Sequence, residues 1–195
     1  MAIRQIKSGK ATGPDNIQAE ALKSDIEVTT NMLHILFKKI WEEEQMPTDW
    51  KEGYLIKIAK KRDLSKCENY RGITLLSVPG KVSNRVLLNQ MKDSVDTQLR
   101  DQQAGFLKDR LCTGQITTLR IIVEQSVEWN SSLYINFIDY KKTFDSVDRT
   151  LWKLLRHYGV YEIVSMIRNS YDGLQCKVVH GRQLTDAFQV RTGVR

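Results

Sequence analysis

The sequence is poor in cysteine: Cys67, Cys112 and Cys176 lie far apart and are odd in number. No Cys-x-x-Cys or mixed Cys/His spacing occurs, which excludes a structural zinc site and fits a reducing compartment. The first ten residues, MAIRQIKSGK, lack the apolar stretch of a secretory signal, and no apolar run is long enough to cross a bilayer. An Asp-Asp pair is absent throughout. No Ser or Thr follows Lys10 and no glycine lies five residues before Gly9, so Gly9-Lys10 is not a phosphate-binding P-loop. His34, His157 and His180 have no Ser or Cys partner in a nucleophile setting. There is no internal repeat and no low-complexity segment.

What is present is enough to fold. The chain has 195 residues, 41% of them hydrophobic, which suits one domain or two closely packed subdomains and excludes wholesale disorder. Thirty basic residues against 23 acidic ones give a net charge of +7, a modest lean toward a phosphate-bearing partner.

The order reads as helices first, then a sheet with helices packed on it, an α+β layout. A glycine-rich, basic loop over 7–16 (KSGKATGPDN) precedes a short helix around Ile17–Lys23. Val28, Met32, Ile35, Leu36 and Ile40 repeat at helical spacing over 28–45, and Pro47 ends that helix. Tyr54–Ala59 and Ile73–Leu76 read as strands around an exposed basic turn. Val82–Leu99 is helical with one broad apolar face. Thr113–Trp129 is helical too, with Ile116, Leu119, Val123 and Val127 expected inward. Asp148 is the expected cap of a helix through His157 that Gly159 stops. A helix over Glu162–Tyr171 leads to strands at Gln175–Val179 and Leu184–Val190, joined around His180-Gly181-Arg182.

The richest stretch is Leu133–Asp148, LYINFIDYKKTFDSVD. Leu133, Ile135, Phe137 and Asp139 share one face of an expected strand, and the other face is largely apolar as well, so burial on both sides is predicted. A carboxylate closing an apolar row needs compensation, and Mg²⁺ is one answer. The alternative is that Asp139 caps the following turn through its own side chain. Asp145 and Asp148 read as a turn residue and a helix cap, and a glycosidase-like pairing of Asp139 with Asp145 lacks a supporting signal.

Phe137-Ile138-Asp139-Tyr140-Lys141-Lys142-Thr143-Phe144-Asp145-Ser146-Val147 closely resembles the first catalytic motif of reverse transcriptases from non-LTR (LINE-type) retrotransposons. Four other segments resemble further motifs of that family, in the right order. Gly9-Lys10-Ala11-Thr12-Gly13-Pro14-Asp15 resembles the motif before the fingers. Asn69-Tyr70-Arg71-Gly72-Ile73-Thr74-Leu75-Leu76 resembles the fingers motif, and Gln103-Ala104-Gly105-Phe106 with Arg110 the next one. Thr192-Gly193-Val194-Arg195 resembles the lead-in to the motif that touches template and incoming nucleotide.

The resemblance implies a right-hand polymerase: fingers over 1–130, mostly helical, then a partial palm over 131–195 with a small antiparallel sheet. It implies an RNA-directed DNA polymerase that works by two-metal nucleotidyl transfer. Asp139 would be a ligand of two Mg²⁺ ions, joined by the Tyr140 backbone carbonyl. Phe144 would be an aromatic gate against the ribose 2′-hydroxyl, where the residue pattern alone suggests a core aromatic. Lys60, Lys61 and Arg71 would lean over the triphosphate, with a solvated basic turn as the plain alternative. Lys10, Lys108 and Arg110 would lie along template RNA.

The implied partners are an RNA template, a DNA primer and deoxynucleoside triphosphates. No membrane role and no protein partner is legible. An intracellular location is expected. The resemblance implies work at chromosomal DNA, although no nuclear signal is recognisable.

The sequence departs from the family where its second metal-binding motif, an aromatic-Ala-Asp-Asp hairpin, would stand: the chain is expected to stop before it. Ala59, Arg62 and Gly114 also replace the family's usual residues. The expectation is a partial copy that does not polymerise by itself. The alternatives are a non-catalytic RNA-binding remnant, or an unstable fragment with an exposed apolar palm edge.

Overall fold

The computed structural model describes residues 1–60, 63–100, 102–105, 107, 110–148, 151–181 and 183–194. Lys61, Arg62, Phe106 and Lys108, all singled out in the sequence, lie outside the described residues.

A short helix α1 (Ala2–Gln5) opens the chain, followed by the glycine-rich loop and α2 (Ala19–Ser24). The loop is tied down at several points. Gly9 donates its N–H to Glu20 Oε1 at 2.6 Å, a bond that holds the Glu20 carboxyl below its ordinary range. Lys23 donates to Ser8 Oγ at 3.0 Å. Gly13 is buried against backbone: a Cβ there would come within 2.4 Å of the Leu76 carbonyl carbon and 2.6 Å of the Ser77 nitrogen. Only a hydrogen side chain fits that approach.

Helix α3 (Ile26–Glu43) starts on Asp25, whose carboxylate accepts the Val28 N–H, and stops at Glu44, which is left-handed with φ 50°. It buries Leu33 and Ile40, with Leu36 and Phe37 packed beside them. A 3₁₀ turn over Thr48–Lys51 brings Trp50 edge-on to Phe37, and leads into β1 (Glu52–Ala59). The return strand β2 (Tyr70–Leu75) pairs antiparallel with β1, Tyr54 opposite Leu75 and Ala59 opposite Tyr70. Ser77 then caps α4 (Val78–Asp96) by accepting the Gly80 N–H at 3.1 Å, and Pro79 in the first turn needs no donor there. Helix α5 (Cys112–Glu128), a single turn α6 (Thr143–Ser146), α7 (Leu151–His157) and α8 (Val164–Tyr171) follow. Gly159, at φ +76°, ends α7 as expected, with the Gly159 and Val160 amides turned back to Arg156 and Leu155 carbonyls.

Strand β3 (Gln175–His180) lies parallel to β1 on the side away from β2. Parallel neighbours need a long crossover, and the helices between residues 76 and 174 supply it. Lys177 donates to Glu52 Oε1 at 2.5 Å across this pair, which raises the lysine above its usual pKa. Strands β4 (Gln183–Leu184) and β5 (Phe188–Gln189) both pair with β3 on its outer edge. The expected single strand Leu184–Val190 is thus split. Between its halves Thr185 takes over the ladder with its own atoms: its N–H donates to Val178 O, and its hydroxyl accepts the Val178 N–H.

The sheet is therefore mixed, where a small antiparallel one was expected. Its strand β3 falls beyond residue 130, yet pairs with β1 well before it. Two apolar clusters sit where the helices pack: one joins α3, α4 and α8 through Ile40, Leu87, Ile163 and Val164, the other joins α1, α3 and α4 through Ile3, Leu33 and Val82. A third, smaller one places Cys176, fully buried, against Leu174 and Val190.

Two expectations fail in the same region. The predicted strand Leu133–Asp139 has no strand partner among the described residues and is extended coil, with every residue from 127 to 146 exposed. Helix α5 forms, but Ile116, Val123 and Val127 face solvent instead of a core, and no residue of α5 is buried. The periodicity is correct and the partner surface is what these residues lack: a strand without a neighbour has no ladder to close its N–H and C=O groups.

Gly13→Ala is expected to cost about 2–3 kcal/mol, because the clash is with backbone that cannot rotate away. Gly114→Ala, with open space around its Cβ, is expected to raise stability or helix content by about 0.5–1 kcal/mol. Urea midpoints followed by circular dichroism compare the two, and equal midpoints would disprove the packing argument.

Candidate nucleotidyl-transfer site

The β1–β2 hairpin carries the first group of site candidates. Its tip is held by Asn69, one of the few buried polar residues, whose side-chain amide donates to the Asp63 carbonyl at 2.6 Å. The Lys60 N–H donates to the Asn69 carbonyl at 2.7 Å, and the Tyr70 hydroxyl to the Leu64 carbonyl at 3.1 Å. Asp63 accepts from both the Ser65 hydroxyl and amide, which holds its carboxyl below the ordinary range. The Lys57 ammonium stands 5.4 Å from the centre of the Tyr70 ring. These bonds fix a basic hairpin from which Lys60 and Arg71 both reach solvent. An exposed guanidinium with no ion-pair partner among the described residues is free to take a phosphate.

The second group lies in the turn after the apolar segment. Asp139 is exposed, and no hydrogen bond or ion pair reaches its carboxylate among the described residues, so the turn-capping alternative is not what this structure displays. The bond that closes the turn comes from Thr143, whose hydroxyl donates to the Tyr140 carbonyl at 2.9 Å. Lys142 takes a left-handed conformation, φ 53°, and its carbonyl accepts from the amides of Asp145 and Ser146 and from the Ser146 hydroxyl. Phe144 is 56% exposed, so the core-aromatic alternative does not hold. Asp148 acts on the next helix through its backbone: its carbonyl accepts the Leu151 N–H at 3.2 Å.

Two contacts bring distant segments to this turn. Lys141 Nζ lies 3.8 Å from Glu68 Oε2, which draws the turn toward the hairpin tip. Gly193 donates to the Val147 carbonyl at 3.0 Å and Val194 to the Phe144 carbonyl at 2.8 Å, so the 192–194 segment is stitched under α6. Gly193 has φ +87°, and a Cβ on it would sit 2.9 Å from the Phe144 carbonyl oxygen and 3.0 Å from Asp145 Cα. The 139–147 turn is therefore bonded directly to the 192–194 segment, and through Lys141 it is paired with Glu68, the residue just before the 69–76 motif.

Among the described residues no three His, Cys, Asp or Glu side chains cluster in a way that would hold a metal ion. Asp139 supplies one carboxylate, which by itself does not fit a centre of two Mg²⁺ ions. Lys10 lies apart from this turn, in the N-terminal loop, beside Lys7, Lys81 and Arg85. That last grouping was not legible in the sequence, because the four residues come from two segments more than 60 positions apart. Arg110 is exposed just before α5. No helix of the described residues is long and apolar enough to cross a membrane.

Residues 58–195 match the family profile described as reverse transcriptase (RNA-dependent DNA polymerase). The chain is 29% identical over 150 residues to a putative 115 kDa protein in the type-1 retrotransposable element R1DM of Drosophila melanogaster, covering 75% of this chain and 14% of that protein. It is 26% identical over 187 residues to a probable RNA-directed DNA polymerase from transposon BS of the same organism, covering 87% of this chain and 21% of that protein. An uncharacterised 149 kDa protein of transposon TX1 from Xenopus laevis is 22% identical over 196 residues, spanning the whole of this chain and 15% of its own length. The chain thus spans between a seventh and about a fifth of the length of these relatives.

Gly193→Ala is expected to unstitch the 192–194 segment. The left-handed φ and the approach to Phe144 and Asp145 together cost about 1–2 kcal/mol. Hydrogen exchange at the Val194 amide should accelerate roughly tenfold, since about 1.4 kcal/mol corresponds to one decade in the opening equilibrium. Unchanged exchange at Val194 would refute the stitching.

Proposed function

The chain belongs to the reverse transcriptase (RNA-dependent DNA polymerase) family, and from that premise we propose that it forms the nucleotide-facing part of an RNA-directed DNA polymerase of a non-LTR retrotransposon. The observation that carries this reading is the convergence of the hairpin tip, the Asp139 turn and the 192–194 segment through the Lys141–Glu68 pair and the Gly193 and Val194 amide bonds. In this assignment residues 1–130 are fingers and 131–195 contribute to the palm.

Each residue then has a physical task. Arg71 and Lys60, with Lys61, take the triphosphate of the incoming nucleotide: the arginine by paired N–H donors, the lysines as point charges. Phe144 stands beside the sugar, where its ring leaves no room for a 2′-oxygen, so deoxynucleotides are preferred over ribonucleotides. Asp139, with the Tyr140 carbonyl beside it, contributes one anionic ligand to a two-Mg²⁺ centre whose other ligands this chain's described residues do not provide. Lys10, Lys108 and Arg110 track the RNA template through its phosphates, and a DNA primer supplies the end to be extended.

A binding-only role uses the same basic surface and makes no demand on Asp139. The two are separated in the full-length protein that carries this segment, assayed for templated primer extension. Asp139→Asn is expected to lower extension at least about 100-fold while leaving RNA affinity unchanged. Phe144→Val is expected to shift the deoxy-over-ribonucleotide preference by roughly tenfold or more. The 195-residue chain alone, with Mg²⁺, template and primer, is expected to give no extension. Full activity in the Asp139→Asn protein would refute the metal-ligand assignment of Asp139, and a full-length protein that binds RNA without extending a primer would leave binding as the only role.

A further inference from the structure

Strand β1 is entered through a segment with little regular structure to hold it. Helix α3 stops at Glu44, and Gln45, Met46 and Pro47 lead to the 3₁₀ turn over Thr48–Lys51. Met46 is buried, so its N–H, which no helix serves, needs a partner inside the protein. That partner lies 123 residues away: Asn169, half-buried on α8, accepts the Met46 N–H at 3.3 Å through Oδ1. The same oxygen accepts from the Lys51 ammonium at 2.9 Å, and Nδ2 donates to Gln45 Oε1 at 3.3 Å. Both donors meet the oxygen and the acceptor meets the nitrogen, so one orientation of the amide satisfies all three bonds. One side chain thus gathers Gln45, Met46 and Lys51 onto α8.

We propose that Asn169 is a positioning residue for the incoming nucleotide: it fixes the entry to β1 against α8, and through β1 it sets where Lys60 and Arg71 stand. The inference rests on the assignment of those two cations to the triphosphate and adds a residue that assignment does not use.

Leverage makes a bond at the base of the hairpin matter at its tip. Strand β3 pairs with β1 only over Glu52–Ile56, and Lys57, Ile58 and Ala59 are paired with β2 alone. The outer part of the hairpin, with Lys60 and Arg71, therefore overhangs the ladder and points where its base directs it. At about 3.3 Å per residue the 8-residue strand is roughly 26 Å long, so a tilt of about 5° at its base carries the tip about 2 Å. A displacement of that order takes an ammonium or a guanidinium out of hydrogen-bond range of a phosphate oxygen.

The clamp sits where it controls that tilt. Lys51 immediately precedes β1, and α8, which carries Asn169, leads into β3. The two strands are parallel and start level, Glu52 opposite Gln175, so Asn169 ties their entries together at one end of the ladder. The Lys177–Glu52 bond holds the next step of the same seam. The three bonds of Asn169 reach neither the hairpin tip nor the Asp139 turn, so its effect on a nucleotide passes through β1.

The test is primer extension by the full-length protein that carries this segment, with deoxynucleotide concentration varied so that kcat and KM separate. Asn169→Ala is expected to raise KM for the deoxynucleotide about 5–10-fold and to leave kcat within about twofold, because cations that already meet the triphosphate in the ground state contribute to binding and not to the chemical step. A change confined to stability does the reverse: it lowers the active fraction, and with it the apparent kcat, and leaves KM where it was. Lys51→Met keeps the bonds of Asn169 to Met46 and Gln45 and is expected to raise KM about threefold, so it stays informative if Asn169→Ala does not fold. Asn169→Asp is expected to return KM to within about twofold of the unaltered protein, since a carboxylate oxygen accepts from both Met46 and Lys51. The control Arg168→Ala removes the neighbouring α8 side chain, exposed and paired with Asp172, and is expected to change neither constant. An unchanged KM in whichever of Asn169→Ala and Lys51→Met still extends primer, or a rise that Asn169→Asp does not reverse, would overturn the inference and leave the polymerase reading in place. Loss of all extension in both variants would also overturn it, in favour of a purely structural role. A full-length protein that extends no primer would overturn both the inference and the reading beneath it.

Discussion

Everything that can be called a site here depends on β1 having a neighbour on each side. Its antiparallel bond to β2 makes the basic hairpin, and its parallel bond to β3 brings the far end of the chain back to the front. Gly53 in β1 admits this closeness, since a Cβ there would meet Thr74 at 2.7 Å and the buried Cys176 sulfur at 3.5 Å. Such an arrangement is expensive in chain entropy, because its two partners are separated by about a hundred residues of chain. The helices repay that loop by packing Val82, Leu87 and Val164 into the clusters beside the sheet.

The same constraint explains why charged groups at the hairpin tip are held by uncharged ones. Asn69, buried and bonded to the Asp63 carbonyl, sets the turn, so Lys60 and Arg71 need no ion pair to stay in place. A cation spent on an internal carboxylate would arrive at a phosphate already neutralised. Glu68 instead pairs outward with Lys141, an exposed contact worth at most about 1 kcal/mol in stability. Its consequence is geometric: it draws the Asp139 turn to the hairpin at little energetic cost, and the backbone bonds of Gly193 and Val194 supply the firmer hold.

The local elements were legible because their signals are local. Gly159 ends its helix, and the apolar spacing of α4 gives its buried face correctly, with Val82 and Leu87 inside, although the caps Asp25 and Ser77 went unread. The first helix, Ala2–Gln5, was missed, since four residues carry no period. Sheet topology was not legible, because nothing in Gln175–His180 says which strand it will join. The strand expected to lead up to Asp139 was misread. Alternation at Leu133, Ile135 and Phe137 reports what a strand would bury, and burial is a property of two surfaces, of which a sequence displays one.

That distinction bears on how the Asp139 turn is supported. Tyr134 is 90% exposed and Phe137 84%, in a segment that leads straight to Asp139. Helix α5, which runs into it, also turns Ile116 and Val127 outward. So much contiguous apolar surface is unusual for a surface that stays in water. By contrast, the N-terminal loop is held within the described chain by the Gly9–Glu20 and Lys23–Ser8 hydrogen bonds and by the close packing of Gly13 on the Leu76–Ser77 backbone. The two regions are thus built differently. Residues 133–139 have no strand partner among the described residues, whereas the loop over 7–16 is tied down at three points.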